Sequence, residues 1–275
     1  MKTYLRYSMN VRSRQYPYKA PEHIEEIAEE LRKKYKIYEI KTKSDIFLIP
    51  VDSQEYAMIF EYEKKFGEYS RSLMFYENEF TKSEIKEAQY YLLKCTSAPV
   101  EVVCDEFKTY KRCCENSMQR GEQIGYYKMA KKDMGNKKVA FSYDYRFMLS
   151  VEAKEAIQLE KSTNFKVMPV YDRKGNEVIA YQLCADTLLP DLSQINHWKI
   201  EKQCPSCSSV EWKGIHQVPH PFYIPKEWKN ELLDFNYTSE KFSLGSRYCI
   251  ISKKVYQLLL GLGAKKVPCE PIVFV

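Results

Sequence analysis

The chain has 275 residues, enough for one large or two modest domains with a full-sized core. Its 23 Tyr and 13 Phe, set against 9 Gly and 12 Pro, mark an ordered globular composition and argue against a disordered tail. The formal charge of +6 is spread along the chain, which argues against a nucleic-acid face, where Lys and Arg would gather.

No apolar run approaches the ~20 residues of a membrane span; the longest, 255–264, contains Gln257 and two glycines. The opening residues Met1-Lys2-Thr3-Tyr4-Leu5-Arg6 lack the apolar core of a signal peptide, so a cytoplasmic protein without membrane partners is expected. In a reducing compartment the 9 cysteines, an odd number, read as buried thiols or metal ligands rather than a disulfide framework.

In chain order, residues 4–9 alternate weakly and predict an opening strand. Pro21 opens a helix with Glu22, Glu25 and Glu26 at its positive end, and Ile24, Ile27, Leu31 and Tyr35 on one face. Residues 36–40 and 46–51 read as strands, and 55–80 is ambiguous between helix and strand. Thr81-Lys82-Ser83-Glu84 has the capping-box pattern and predicts a helix carrying Ile85, Ala88, Leu92 and Cys95 on one face.

Strands are predicted at 98–103, 123–129 and 139–143, with Ser150 as N-cap of a helix from 151 to about 161. A hairpin follows, 165–171 and 178–184, joined by Asp172-Arg173-Lys174-Gly175-Asn176, whose glycine takes positive φ. The aromatic segment 197–225, rich in proline, reads as an extended loop, with Phe222 and Tyr223 at its tip as candidate partner contacts. The C-terminal part reads as strand 248–251, helix 252–262 and strand 267–275.

Two stretches echo each other. Ser150 and Ser252 lie 252 − 150 = 102 apart, as do Pro169 and Pro271, and Leu149, Ile157 and Phe165 match Ile251, Leu259 and Val267 without a gap. A duplicated strand–helix–strand unit at about 145–172 and 247–275 points to an α+β fold, with mixed sheets and a few flanking helices.

The chemistry centres on Cys204-Pro205-Ser206-Cys207, whose spacing fits the tight turn of a zinc knuckle. One pair supplies half of a tetrahedral site. Cys113 and Cys114 are the first choice for the other half, and His197, His216 and His220 the second. No phosphate-cradling glycine loop, Gly-x-Ser-x-Gly elbow or His-Glu-x-x-His motif occurs, and no spacing points to a catalytic set, so a non-catalytic protein is expected.

The ordered run of Cys114-Glu115-Asn116-Ser117, Glu122-Gln123, 147–150 with Pro169-Val170, Cys204-Pro205-Ser206-Cys207, and Ile251, Ser252, Tyr256, Leu260 and Pro271 resembles the double-CXXCG motif family. That group includes bacterial immunity proteins for contact-delivered polymorphic toxins. The likeness covers about residues 80–275; residues 1–80 form an α/β region of unassigned role. It implies one structural zinc held by Cys114, Cys204 and Cys207, with Cys113 or Cys104 as fourth ligand. Ser117 and Met118 depart from the first motif and Ser208 replaces the glycine of the second, which leaves loss of the metal open. The implied function is binding and neutralising a cognate toxin; the alternative is a zinc-ribbon protein that binds nucleic acid or regulates.

Overall fold

The computed structural model describes residues 1–9, 24–35, 45–66, 73–94, 99–114, 120–184, 186–214, 218–242, 245–264 and 267–275. The fold is α+β, with mixed sheets flanked by helices. Two units divide the chain: Met1–Thr81 with Ile215–Pro221, and Lys82–Gly214 with Phe222–Val275.

The first unit runs β1 (Lys2–Met9), α1 (Ile24–Lys34), β2 (Asp45–Pro50), α2 (Gln54–Phe66) and β3 (Leu73–Glu79), so the ambiguous stretch contains both kinds of element. β1 lies between β2 and β3 and is antiparallel to both. Strand side chains alternate between faces, and Leu5, Tyr7, Phe47 and Ile49 meet Leu31 of α1 and Ile59 of α2 in one buried core. Ser53 caps α2, its Oγ accepting from Tyr56 N at 3.2 Å. The expected Pro21 start, the 36–40 strand, Cys95 and His216 lie outside the described residues.

The second unit begins with α3 (Lys82–Glu87), β4 (Tyr90–Leu93), β5 (Val102–Val103), α4 (Glu106–Thr109), β6 (Tyr110–Arg112) and β7 (Arg120–Gln123). It continues through β8 (Lys128–Met129), α5 (Lys131–Met134), β9 (Val139–Phe141), β10 (Phe147–Leu149), α6 (Val151–Leu159), β11 (Lys166–Asp172) and β12 (Val178–Cys184). It closes with β13 (Ile200–Gln203), β14 (Val210–Trp212), β15 (Tyr223–Ile224), β16 (Phe235–Tyr237), β17 (Cys249–Ser252), α7 (Lys253–Gly261), β18 (Cys269–Pro271) and β19 (Val273–Phe274).

Three expectations are corrected. The helix begun after Thr81 ends at Glu87, and Leu92 lies in β4, because Tyr90–Leu93 is held between β17 and β18. The Tyr91 hydroxyl donates to Ile85 O (2.7 Å) and Ala88 O (3.2 Å), which satisfies carbonyls at the helix end. The 123–129 strand is split around Gly125, where a Cβ would sit 2.5 Å from Lys108 O. The last strand is also two: β18 pairs with β4, whereas β19 pairs with β15 in a different sheet.

Both stretches with the 102-residue spacing fold as strand, serine-capped helix and strand. Ser150 Oγ accepts from Ala153 N at 3.1 Å, and Ser252 Oγ from Val255 N at 3.4 Å. In each copy the two strands flank a third, antiparallel strand: β12 between β10 and β11, and β4 between β17 and β18. The register repeats as well. Tyr181 stands opposite both Leu149 and Pro169, and Tyr91 opposite both Ile251 and Pro271.

Equivalent side chains share one core. Leu149 with Ile251, Ala153 with Val255, and Ile157 with Leu259 all belong to a single buried cluster. The helix ends match too: Ser162 N donates to Ile157 O, and Ala264 N to Leu259 O, in the same backbone closure. Each closure needs a left-handed residue. Gly263 supplies it at φ 84, whereas Lys161 is forced there at φ 50.

Lys161→Gly should therefore raise the unfolding free energy by about 0.5–1 kcal/mol, after allowing for the entropy glycine loses on folding, and Gly263→Ala should lower it by a similar amount. Urea unfolding curves check both. No gain from Lys161→Gly would show that the side chain makes up for the backbone cost.

Candidate metal centre

Two β-hairpins present the cysteines. β6 and β7 pair antiparallel, as do β13 and β14, and in each hairpin the cysteines follow the first strand. Consecutive strand side chains point to opposite faces, so Cys113 and Cys114 could not share one target inside a strand. β6 ends at Arg112 and the chain bends at both cysteines, which frees them from that alternation.

The second hairpin tip is a tight turn. Ser208 N donates to Cys204 O at 2.9 Å, and Cys204 N to Ser209 O at 2.8 Å. Ser208 sits at φ 57, the conformation that a glycine in this place would adopt without steric cost.

The four sulfurs converge. Cys113, Cys114, Cys204 and Cys207 offer sulfurs that all lie within 4.8 Å of one another, close enough to hold a metal ion. Cys113 Sγ is 3.6 Å from Cys207 Sγ, and Cys114 Sγ is 3.5 Å from Cys204 Sγ. Ligands of a tetrahedral metal with metal–sulfur bonds near 2.3 Å stand about 4 Å apart, so the spacing fits. None of the four is in a disulfide; Cys204 is buried, Cys113 and Cys114 are half-buried, and Cys207 is exposed. Cys104, the other candidate fourth ligand, instead packs against the cluster containing Val100 and Met129. His197 and His220 are outside the group.

A buried polar network fixes the first hairpin to the sheet behind it. Arg120 Nη1 donates to Asp144 Oδ2 at 2.9 Å, and the Tyr127 hydroxyl donates to the same oxygen at 3.2 Å. Burial pushes the Tyr127 hydroxyl far above its ordinary value, with Arg146 opposing, so it remains a donor. Tyr110 hydrogen-bonds Tyr127 and accepts from Arg146 Nη2 at 3.2 Å. The amides of Gln123 and Gln182 bond each other reciprocally at 2.8 Å. Such groups are costly to bury singly and less so when they bond one another, so these bonds favour one hairpin position. Gly121 also matters: a Cβ there would meet Arg112 O at 2.7 Å across the hairpin.

A cation attends the outer sulfurs. Trp212 N donates to Lys241 O at 2.7 Å, which places Lys241 beside β14. Burial and then Arg247 pull the Lys241 ammonium down from its usual value, while Cys113, Glu211 and Cys207 hold it up. Four thiolates around a divalent ion leave two negative charges, and a neighbouring ammonium offsets part of that charge.

The aromatic segment is not an extended loop with an exposed tip. Phe222 is fully buried, its ring 5.7 Å from that of Trp198, and Trp198 in turn packs on Phe242 at 4.8 Å. Apolar area that can leave water does so, and the many prolines do not prevent it. Sequence reasoning passed over the Tyr110–Asp144–Arg146 network, because its members lie far apart along the chain and no spacing joins them.

Phe222→Ala should cost about 3–5 kcal/mol, as removal of a buried aromatic does, and lower the melting temperature. Lys241→Met should weaken metal affinity about tenfold, as loss of an outer-sphere partner does, measured by competition with a chromophoric chelator. Unchanged affinity would place Lys241 outside the field of the bound ion. No protein-family model and no curated protein matches the chain.

Proposed function

We propose that the chain is a zinc-stapled, non-catalytic binding protein of the immunity kind, which neutralises a cognate bacterial toxin by covering it. The observation that carries this reading is the four-thiol centre. Cys114, Cys204 and Cys207, the three positions in which the chain resembles the double-CXXCG proteins, converge, and Cys113 joins them as a fourth sulfur. Soft thiolates in a tetrahedral set of this size suit zinc, and four protein ligands make the site structural, with no open position for substrate.

A rigid tip supports a binding role. Tyr143 and Tyr145 are 63% and 43% exposed, while Asp144 between them is clamped by Arg120 and Tyr127. Tyr145 is held at φ 57, a conformation that costs a non-glycine residue energy. Preordered tyrosines lose little entropy on docking and are favoured interface anchors. Among the described residues no helix is long and apolar enough to cross a membrane.

The test is co-expression with the toxic C-terminal domain of the large secreted protein expected from a neighbouring gene. This chain should restore growth, and Tyr143→Ala with Tyr145→Ala should reduce protection without lowering the melting temperature. Failure to protect, together with a salt-dependent shift of oligonucleotides by the purified chain, would replace this reading with the nucleic-acid one. Elemental analysis should find one zinc per chain, and chelation or Cys204→Ser should lower the melting temperature. A metal-free preparation that chelator leaves unchanged would remove the staple.

A further inference from the structure

We infer that the four-thiol centre is also an oxidation site, at which a peroxide closes two disulfides across the hairpins, Cys113 with Cys207 and Cys114 with Cys204. The inference stands on the sulfur geometry alone and holds whether or not the metal reading does. The sulfurs of these pairs are 3.6 Å and 3.5 Å apart, about 1.5 Å beyond a disulfide bond of ~2.05 Å, a gap that small side-chain rotations close.

The alternative pairings are limited. Were Cys204 to join Cys207 within its own turn, the remaining thiols would be the consecutive Cys113 and Cys114. Their bridge closes a small ring that strains the peptide between them. Pairing across the hairpins uses all four thiols without that ring, and the observed distances select which partner each one takes.

Access sets the order. Cys207 is exposed and Cys113 half-buried, so this pair meets the oxidant first; Cys204 is buried and follows with Cys114. The Cys207 thiolate attacks one peroxide oxygen, breaks the O–O bond and becomes a sulfenic acid, releasing hydroxide. The Cys113 thiolate then attacks that sulfur and expels a second hydroxide as the S–S bond forms. Two electrons pass from the sulfurs to one peroxide; a second peroxide oxidises the inner pair in the same way. With the outer pair joined, the centre no longer offers a metal four thiolates, while the hairpins stay tethered.

The experiment uses the full reduced chain, with and without prior chelation, exposed to hydrogen peroxide, alkylated, and digested with trypsin without reduction. Cleavage after Arg112, Arg120, Lys202 and Lys213 gives one peptide with Cys113 and Cys114 and another with Cys204 and Cys207. We expect loss of four of the 9 thiols and one joined species, four hydrogens lighter than the two peptides together. Cys184 and Cys249 are the internal controls: burial pushes them up to about 11 and about 12, so they stay protonated and reduced. The double variant Cys113→Ser with Cys207→Ser should still cross-link, whereas Cys113→Ser with Cys204→Ser should not. Separate peptides, each two hydrogens lighter, or four thiols that survive peroxide would overturn the inference. The parent chain alone decides between bridges across the hairpins and bridges within them, even if a variant does not fold, and the two double variants decide which partner each thiol takes.

Discussion

A strand that returns parallel to its predecessor, with one place left between them, leaves two rows of backbone groups unsatisfied unless a third strand fills the gap. Among the described residues that constraint is met three times. β12 fills the gap between β10 and β11, β4 that between β17 and β18, and in the first unit β1 that between β2 and β3. The filling strand precedes its unit in two cases and follows it by a hairpin in the third, so strand placement is shared while chain connection is not. Each unit's helix starts at a serine, Ser53, Ser150 or Ser252, where the hydroxyl takes up an amide that the helix itself cannot pair.

The two copies of the second unit share a core but differ on their other sheet faces. Register makes Gln182 the counterpart of Leu92, and Met168 that of Glu270. Gln182 is buried because it bonds Gln123 of the cysteine hairpin, so one substitution in an apolar row marks where that hairpin docks. In the other copy Glu270 is buried against Lys94, a charge pair in the place where the first copy keeps methionine. Burial of lone polar groups is costly, so each is paired, and the pairing gives the two faces different partners.

Residues ninety positions apart meet at the hairpin tips, and a metal held there would limit the freedom of the unfolded chain more than a local link does. The same convergence that suits a metal brings thiols to within reach of disulfide formation. The burial gradient from Cys204 to Cys207 exposes one edge of the centre to solvent chemistry and shields the other.

The 102-residue spacing, the two serine caps and the Cys204-x-x-Cys207 turn were legible in the amino-acid order, because each depends on local backbone chemistry or on an apolar period shorter than a helix. Cys113 and Cys114 as the first choice for the other half of the centre were also legible, since two adjacent thiols stand out as a second cluster. The fates of Leu92 and Phe222 were not. Tyr90–Leu93 fits a helix face as well as a strand, and only the gap between β17 and β18 made it a strand. Phe222 sits among prolines as a loop tip would, yet the rings of Trp198 and Tyr248 give it a dry place. Local order determines what a segment is able to form. Which of those forms is occupied was decided by hydrogen bonds and apolar surface supplied from more than a hundred residues away in the case of Leu92, and from some twenty-five residues to either side in the case of Phe222.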